Sequence, residues 1–294
     1  MTSPEPQTSY HGQPVLKPPV WTWEVPAYFF VGGTSGMSGV LALGSLAGED
    51  SLLLTRGLLW VALVGALVSP VLLILDLGRP ARFLNMLRVF KWRSAMSLGV
   101  WTLIAFTSCA GTSVLLFEGY AVLVRELGVA AELVTVALST AIALTAVFGA
   151  LLATYTGVLL GASAIPVWAA NRALLPLHFG VAGLGSAASL AVLLAGDSTP
   201  LLLLLAAAAA VETLLLIKNE VSGRGRVVLA PLRRGSGATR LRIATLLMGP
   251  VALAGLMIGA AELSALAFLA GSLLSRYAWL ALGRESARDP RAVL

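Results

Sequence analysis

Long apolar runs separated by short polar turns dominate the chain. A run of about 20 residues is enough for a helix to cross about 30 Å of hydrocarbon. Runs of this kind lie near residues 24–47, 52–76, 95–118, 133–161, 173–195, 199–217, 240–260 and 263–283. Each is expected to be helical, because a spanning segment has to satisfy its own backbone hydrogen bonds. The pattern predicts an all-α integral membrane protein with eight transmembrane helices in a bundle.

Polar segments flank this predicted bundle. We expect a polar, proline-rich tail at 1–22, the transmembrane domain at 23–284 and a short C-terminal tail at 285–294. The first tail has neither the basic region nor the apolar region of a secretory signal, so no cleaved signal peptide is expected.

The distribution of cations predicts an orientation. With eight spans both termini lie on the same side, and 20 Lys and Arg residues are present in the sequence. When loops are assigned alternately to the two sides, all of these except Arg56 and Arg125 fall on the terminal side. Cytoplasmic loops carry an excess of Lys and Arg. We therefore expect a multi-pass protein of the inner or plasma membrane with cytoplasmic N- and C-termini.

Composition supports this class and excludes others. Hydrophobic residues make up 58% of the chain and charged residues 12%, against about 25% charged residues in soluble domains. The excess of cations therefore indicates membrane topology rather than nucleic-acid binding. Cys109 is the one cysteine, which leaves neither a disulfide framework nor a cysteine-ligated cluster.

Asp76 ends the second apolar run, three residues before Arg79. A carboxylate at the edge of an apolar helix costs a few kcal/mol if it faces lipid. Two interpretations remain open: a local pair between Asp76 and Arg79 at the helix end, or a residue of a functional site.

Several other polar residues are expected at a similar shallow depth on the cytoplasmic side. They are Glu24, Tyr28, Tyr155, His178, Glu212 and Arg276. Ionisable groups within a membrane are functional candidates by default. Each also has a structural alternative: Arg276 could extend to the interface, Tyr28 could belong to an interfacial aromatic belt, and His178 could be a hydrogen-bonded packing residue. With Asp76 included, these residues converge from six helices, which favours a site.

The residues for a redox centre are missing. His11 lies in the polar tail, which leaves His178 as the one histidine at membrane depth. A bis-histidine haem b needs two such histidines, and an iron–sulfur cluster needs several cysteines. No clustered set of metal ligands is found in the sequence either. We expect no haem, no iron–sulfur cluster and no metal in this chain.

Small residues recur at multiples of four in the first helix, at Gly32, Gly36, Gly44 and Gly48. Such a seam is typical of closely packed membrane helices. Pro166 is expected to stop the fourth helix.

Four stretches resemble the NrfD/polysulfide reductase membrane-subunit family. They are "WTWEVPAYFFVGGTSGMSG", "LDLGRPARFLNMLRVFKWRSAMSLGVW", "YTGVLLGASAIPVW" and "GSLLSRYAWLALG". The resemblance implies eight transmembrane helices, no cofactor in the membrane subunit, and a quinone site beside an iron–sulfur partner. It assigns family positions to Glu24, Asp76, Tyr155 and Arg276. Many members have partners outside the cytoplasmic membrane, whereas the charge count places the site inside. Either the partners here are cytoplasmic or the orientation is inverted.

The sequence therefore predicts a quinone/quinol-binding membrane anchor subunit that is not catalytic alone. Menaquinone or ubiquinone is its expected substrate. The predicted catalytic residues are Asp76, Tyr155 and Glu24, and the predicted quinone-binding residues are Tyr28, Arg79, His178 and Arg276. The expected partners are a ferredoxin-like iron–sulfur subunit and a catalytic subunit of the molybdopterin type.

Two alternatives remain for the same residues. In an ion- or proton-conducting transporter the acids would carry ions, although secondary transporters bind substrate near the midplane, between broken helices. A passive anchor would leave the polar residues at membrane depth unexplained.

Overall fold

The computed structural model of the protein describes residues 16, 18–46, 52–78, 88–222, 231–232 and 235–289. Within these residues the regular elements are all helical. They are α1 (Glu24–Ser45), α2 (Leu52–Asp76), α3 (Ala95–Ala121), α4 (Ala131–Gly161), α5 (Pro166–Ala170), α6 (Leu174–Ala195), α7 (Thr199–Ser222), α8 (Ser236–Leu246), α9 (Ala252–Met257) and α10 (Ala261–Arg288). Two π-helical segments extend them: Val122–Glu126 continues α3, and Leu247–Val251 joins α8 to α9.

Six helical stretches of the described chain are long and apolar enough to cross a membrane. They are Leu52–Asp76, Ala95–Glu126, Ala131–Gly161, Leu174–Ala195, Ser236–Met257 and Ala261–Arg288. Helix α7 adds a shorter apolar stretch, Thr199–Leu215. Because each helix bonds its own backbone, these stretches can lie in hydrocarbon without unsatisfied amides. The prediction of an all-α membrane protein is confirmed.

Helix α1 differs from these six in composition and position. It has 22 residues, many of them glycine, serine and threonine, and most of its residues are buried. It contacts α2, α4, α6 and α10. Because neighbouring helices shield it from lipid, α1 does not need a lipid-compatible surface and can use small residues for close packing.

Helices α1 and α4 approach each other closely at Gly36 and Gly149. A Cβ atom on either glycine would overlap the backbone of the other. Of the glycines in the predicted small-residue seam, Gly36 is therefore in contact with α4. At Gly44 an added Cβ would meet no atom within 4 Å, and Gly48 lies outside the described residues.

Two clusters of buried apolar residues lie along the bundle. One is rich in aromatic rings and includes Tyr28, Phe29, Trp168, Phe179 and Trp279. The other is mainly aliphatic. The aromatic cluster lies where α1 begins, and it surrounds the polar residues described next.

The end of α4 at Gly161 agrees with the predicted run, but Pro166 starts α5 instead of stopping α4. One boundary differs from the sequence prediction. Helix α10 continues to Arg288, beyond residue 284, where Glu285 accepts hydrogen bonds from Ser236 (2.8 Å) and from the Gly237 amide (3.0 Å) at the start of α8.

Candidate functional site

A mainly apolar cleft opens at one end of the bundle. There α1 and α3 begin, α2 ends and α4 comes within two turns of its end. The cleft encloses about 620 Å³, its open mouth included. Its lining residues are Trp21, Val25, Tyr28, Phe29, Leu73, Asp76, Leu77, Met96, Gly99, Val100, Tyr155 and Leu159. Three predicted site residues, Tyr28, Asp76 and Tyr155, therefore share one cleft.

Tyr155 crosses from α4 to the start of α3. Its hydroxyl donates a hydrogen bond of 2.5 Å to the carbonyl oxygen of Ala95. The ring lies directly over Gly99, where a Cβ atom would overlap it. Since its hydrogen is already donated to Ala95, the Tyr155 oxygen presents a lone pair, so it is placed to accept a hydrogen bond at this site.

Asp76 and Glu24 are connected through Thr22. The Thr22 hydroxyl contacts Glu24 Oε2 and lies 3.4 Å from Asp76 Oδ1. The Thr22 amide also donates to Asp76 Oδ1, at 3.4 Å. Both carboxylates are half-buried and Thr22 is exposed. A continuous polar route therefore leads from the Asp76 wall of the cleft to the surface.

The segment before α1 forms one wall of the cleft. The Trp21 ring stacks on that of Trp168, with centroids 5.6 Å apart and planes 14° apart. Arg284 donates to the Trp21 carbonyl oxygen, and Tyr277 donates to that of Trp23 at 3.1 Å. Helix α10 thus holds this segment in place.

His178 and Arg276 do not line the cleft. They belong to a second group, here called the buried cluster, formed by His178, Glu212, Arg276 and Trp279. The ring centroids of His178 and Trp279 are 6.1 Å apart. His178 Nδ1 lies 2.9 Å from Glu212 Oε2. Arg276 donates to the Phe179 carbonyl oxygen at 3.1 Å, and its guanidinium carbon lies 3.9 Å from the centre of the Phe179 ring.

Two phenylalanines separate the cleft from the buried cluster. Phe29 lines the cleft, and its ring centroid is 5.9 Å from that of Phe179. Phe179 in turn contacts both Arg276 and His178. The single site predicted from the sequence is thus two neighbouring polar regions with an aromatic wall between them.

A family model described as "Polysulphide reductase, NrfD" matches residues 9–200 of the chain. The chain belongs to the NrfD family. The matched residues include the whole lining of the cleft, whereas Glu212, Arg276 and Trp279 lie beyond them. A comparison with curated proteins finds no match.

Two further predictions for this NrfD protein concern Arg79 and the binding of metals. Arg79 lies outside the described residues, so its pairing with Asp76 stays a prediction. Among the residues that the structure describes, no group of three or more His, Cys, Asp or Glu side chains could hold a metal.

Sequence reasoning missed Trp21, which lines the cleft, and Thr22 and Trp168, which contact lining residues. Thr22 has no distinctive signal, because a threonine before a helix is normally assigned to capping. Tryptophans such as Trp21 and Trp168 are typical of an interfacial belt, but these two stack on each other, and Trp168 is fully buried. The spacing of about 150 residues between them gives no sequence signal of this contact.

Proposed function

We propose that this NrfD protein is the quinone/quinol-binding membrane anchor of a multi-subunit oxidoreductase. It would exchange electrons between the membrane quinone pool and an iron–sulfur partner subunit. The observation that carries the proposal is the convergence of Tyr28, Asp76 and Tyr155 in one mainly apolar cleft at the end of the bundle. Flat apolar walls suit a quinone ring, and few polar groups suffice to orient it.

The polar residues of the cleft suit the proton chemistry of this substrate. Reduction of a quinone consumes two electrons and two protons, and oxidation of the quinol releases them. The Asp76 carboxylate would give or take a proton at a ring oxygen, as a general acid or base. Thr22 and Glu24 would pass that proton between Asp76 and the exposed rim.

The two tyrosines would orient the ring. Tyr155, whose hydrogen is donated to Ala95, would accept a hydrogen bond from a quinol hydroxyl. Tyr28 is 3% exposed, and its ring forms part of the inner wall. The aromatic wall of Phe29 and Phe179 would keep water away from the ring on the side of the buried cluster.

The partners belong to the same proposal. Electrons would pass to or from a cluster in a ferredoxin-like subunit, with a catalytic subunit of the molybdopterin type beyond it. The chain itself would contribute no haem and no iron–sulfur cluster. Purified chain is therefore expected to lack a Soret band and bound iron, and stoichiometric haem would contradict the proposal.

The proposal extends to topology, with eight spans and both termini in the cytoplasm. Tyr277 in α10 contacts Trp23, which precedes α1. This contact supports placing the start of the first helix and the end of the last helix on the same side of the membrane. A reporter fused after Leu294 is expected to respond as cytoplasmic, and one inserted at the exposed Gly128 as external. The reverse pattern would move the partner to the other side.

Photolabelling tests the quinone site directly. The full chain in lipid nanodiscs would be labelled with an azido-quinone and mapped by mass spectrometry. Adducts are expected on the residues that line the cleft, and an excess of the unlabelled quinone should suppress them. Adducts that resist competition, or that map to the lipid-facing sides of other helices, would overturn the proposal. Proton flux through vesicles that hold the chain alone, without any response to quinone, would favour the ion-conducting alternative.

A further inference from the structure

The buried cluster has many more hydrogen-bonding groups than it uses. His178, Glu212, Arg276 and Trp279 are each at most 3% exposed. They come from three helices, α6, α7 and α10. Two hydrogen bonds join cluster side chains to described neighbours, one between His178 and Glu212 and one from Arg276 to the Phe179 carbonyl oxygen.

Five side-chain atoms of this cluster have no hydrogen-bond partner within the described residues. They are His178 Nε2, Glu212 Oε1, Arg276 Nε, Arg276 Nη1 and Trp279 Nε1. A buried polar group left unsatisfied costs about 1–3 kcal/mol, and a charged one costs more. Acyl chains cannot supply the missing bonds, and buried side-chain polar atoms in proteins normally have a hydrogen-bond partner, either a protein group or an ordered water.

The five atoms are complementary as a set. The Arg276 and Trp279 nitrogens are donors, Glu212 Oε1 is an acceptor as the carboxylate, and His178 Nε2 takes either role with its tautomer. A buried water molecule makes about three hydrogen bonds, both donating and accepting. Water therefore matches this mixture, whereas a cation would be repelled by the guanidinium and an anion by the carboxylate.

We infer that the buried cluster is an internal water-binding site, held by His178, Glu212, Arg276 and Trp279 behind the aromatic wall. The bound water completes the hydrogen bonds of the guanidinium, the carboxylate and the indole. It also gives Glu212 and His178 a local partner for proton exchange inside the bundle. The inference does not depend on quinone binding in the cleft.

Radiolytic footprinting tests this inference on the unmodified chain. Short X-ray pulses generate hydroxyl radicals from bound as well as bulk water, and mass spectrometry measures the oxidation of each residue. Trp279 and Trp168 form a matched pair, with 1% and 0% exposure. They differ in that Trp168 Nε1 donates to the Trp279 carbonyl oxygen at 2.9 Å, whereas Trp279 Nε1 has no partner among the described residues.

For the full chain in nanodiscs, Trp279 and His178 are expected to be oxidised several-fold faster than Trp168. Trp23, which is 58% exposed, provides the upper reference. Any result in which Trp279 is not oxidised faster than Trp168 would overturn the inference, whether both rates are low or both are high.

A pair of variants then assigns the water to the cluster. Glu212→Gln keeps a hydrogen-bonding side chain and is expected to retain the fast oxidation of Trp279. Glu212→Met removes both oxygens at similar length and is expected to lower the Trp279 rate toward that of Trp168. Equal Trp279 rates in the two variants, with both folded, would contradict the assignment. If Glu212→Met does not fold, the comparison of Trp279 with Trp168 in the unmodified chain still decides.

Discussion

The cleft and the buried cluster hold polar residues on opposite sides of the same aromatic wall, but they differ in access. Asp76 is half-buried and is joined to the surface through Thr22 and Glu24. Glu212 is fully buried, and its contact partner His178 is 3% exposed. Both are carboxylates near the end of an apolar helix, so the sequence pattern around them is similar.

This difference in access to the surface determines which role each region can have. A substrate that arrives from lipid and exchanges protons with water needs an opening and an exposed end, and the cleft has both. A buried charge that solvent does not reach has to be neutralised by a neighbouring group, because breaking a buried pair leaves an uncompensated charge. We therefore expect changes in the cleft to affect turnover, and changes in the cluster to affect stability first.

The largest expected effect is on stability, from Glu212→Met. Removal of one partner from a buried pair costs about 3–5 kcal/mol. The Arg276 guanidinium, which interacts electrostatically with Glu212, would stay buried without that carboxylate. Thermal unfolding in detergent should show a clear loss for this variant. Glu118→Gln is the matched control, because Glu118 bonds Arg56 at 2.6 Å in an exposed pair, and exposed pairs contribute little. Equal unfolding temperatures in the two variants would remove the distinction between the regions.

The next effect is on turnover, from Asp76→Asn. This change keeps the size and hydrogen bonding of the side chain and removes the carboxylate. Quinone-linked turnover of the assembled complex is expected to fall by about 100-fold, within the range of general acid–base contributions. Activity with a soluble dye, which bypasses the membrane, should be unchanged. A lower yield of complex with normal turnover per copy would instead support the role of Asp76 in closing the end of α2 against Arg79.

Some of this arrangement was accessible from the sequence. Tyr28, Asp76 and Tyr155 could be predicted because a polar residue in an apolar, membrane-spanning helix is costly and is therefore a functional candidate. Gly36 could be predicted as a contact from its spacing, but Gly44 in the same series has no neighbour, because spacing does not tell where the partner helix diverges. The division into two regions could not be predicted. It depends on the aromatic wall, and phenylalanines in a membrane helix are compatible with any buried or lipid-facing position.

Gly99→Ala tests the geometry of the cleft without changing a polar residue. A methyl group there would overlap the Tyr155 ring and push the tyrosine away from Ala95. Turnover with quinone is expected to fall on the order of tenfold, less than the 100-fold that a misplacement of about 1 Å can cause. Gly111→Ala on the same helix is the control, because its Cβ would make an ordinary contact of 3.9 Å with Leu63. If the two alanine variants turn over equally, Tyr155 does not position the substrate.

The smallest effect, from Thr22→Val, would sharpen the comparison most. Valine keeps the shape and the amide that donates to Asp76, and removes the hydroxyl between Asp76 and Glu24. One hydrogen bond contributes about 0.5–1.5 kcal/mol net, so turnover is expected to fall by about threefold. A structural role would give the same small loss, so the deciding measurement is the ratio of turnover in H₂O to that in D₂O. This ratio should rise in Thr22→Val, because proton exchange through the polar route becomes more limiting. It should stay unchanged in Thr112→Val, whose hydroxyl bonds the Ser108 carbonyl oxygen within α3. An unchanged ratio in Thr22→Val would mean that protons reach the cleft by another route.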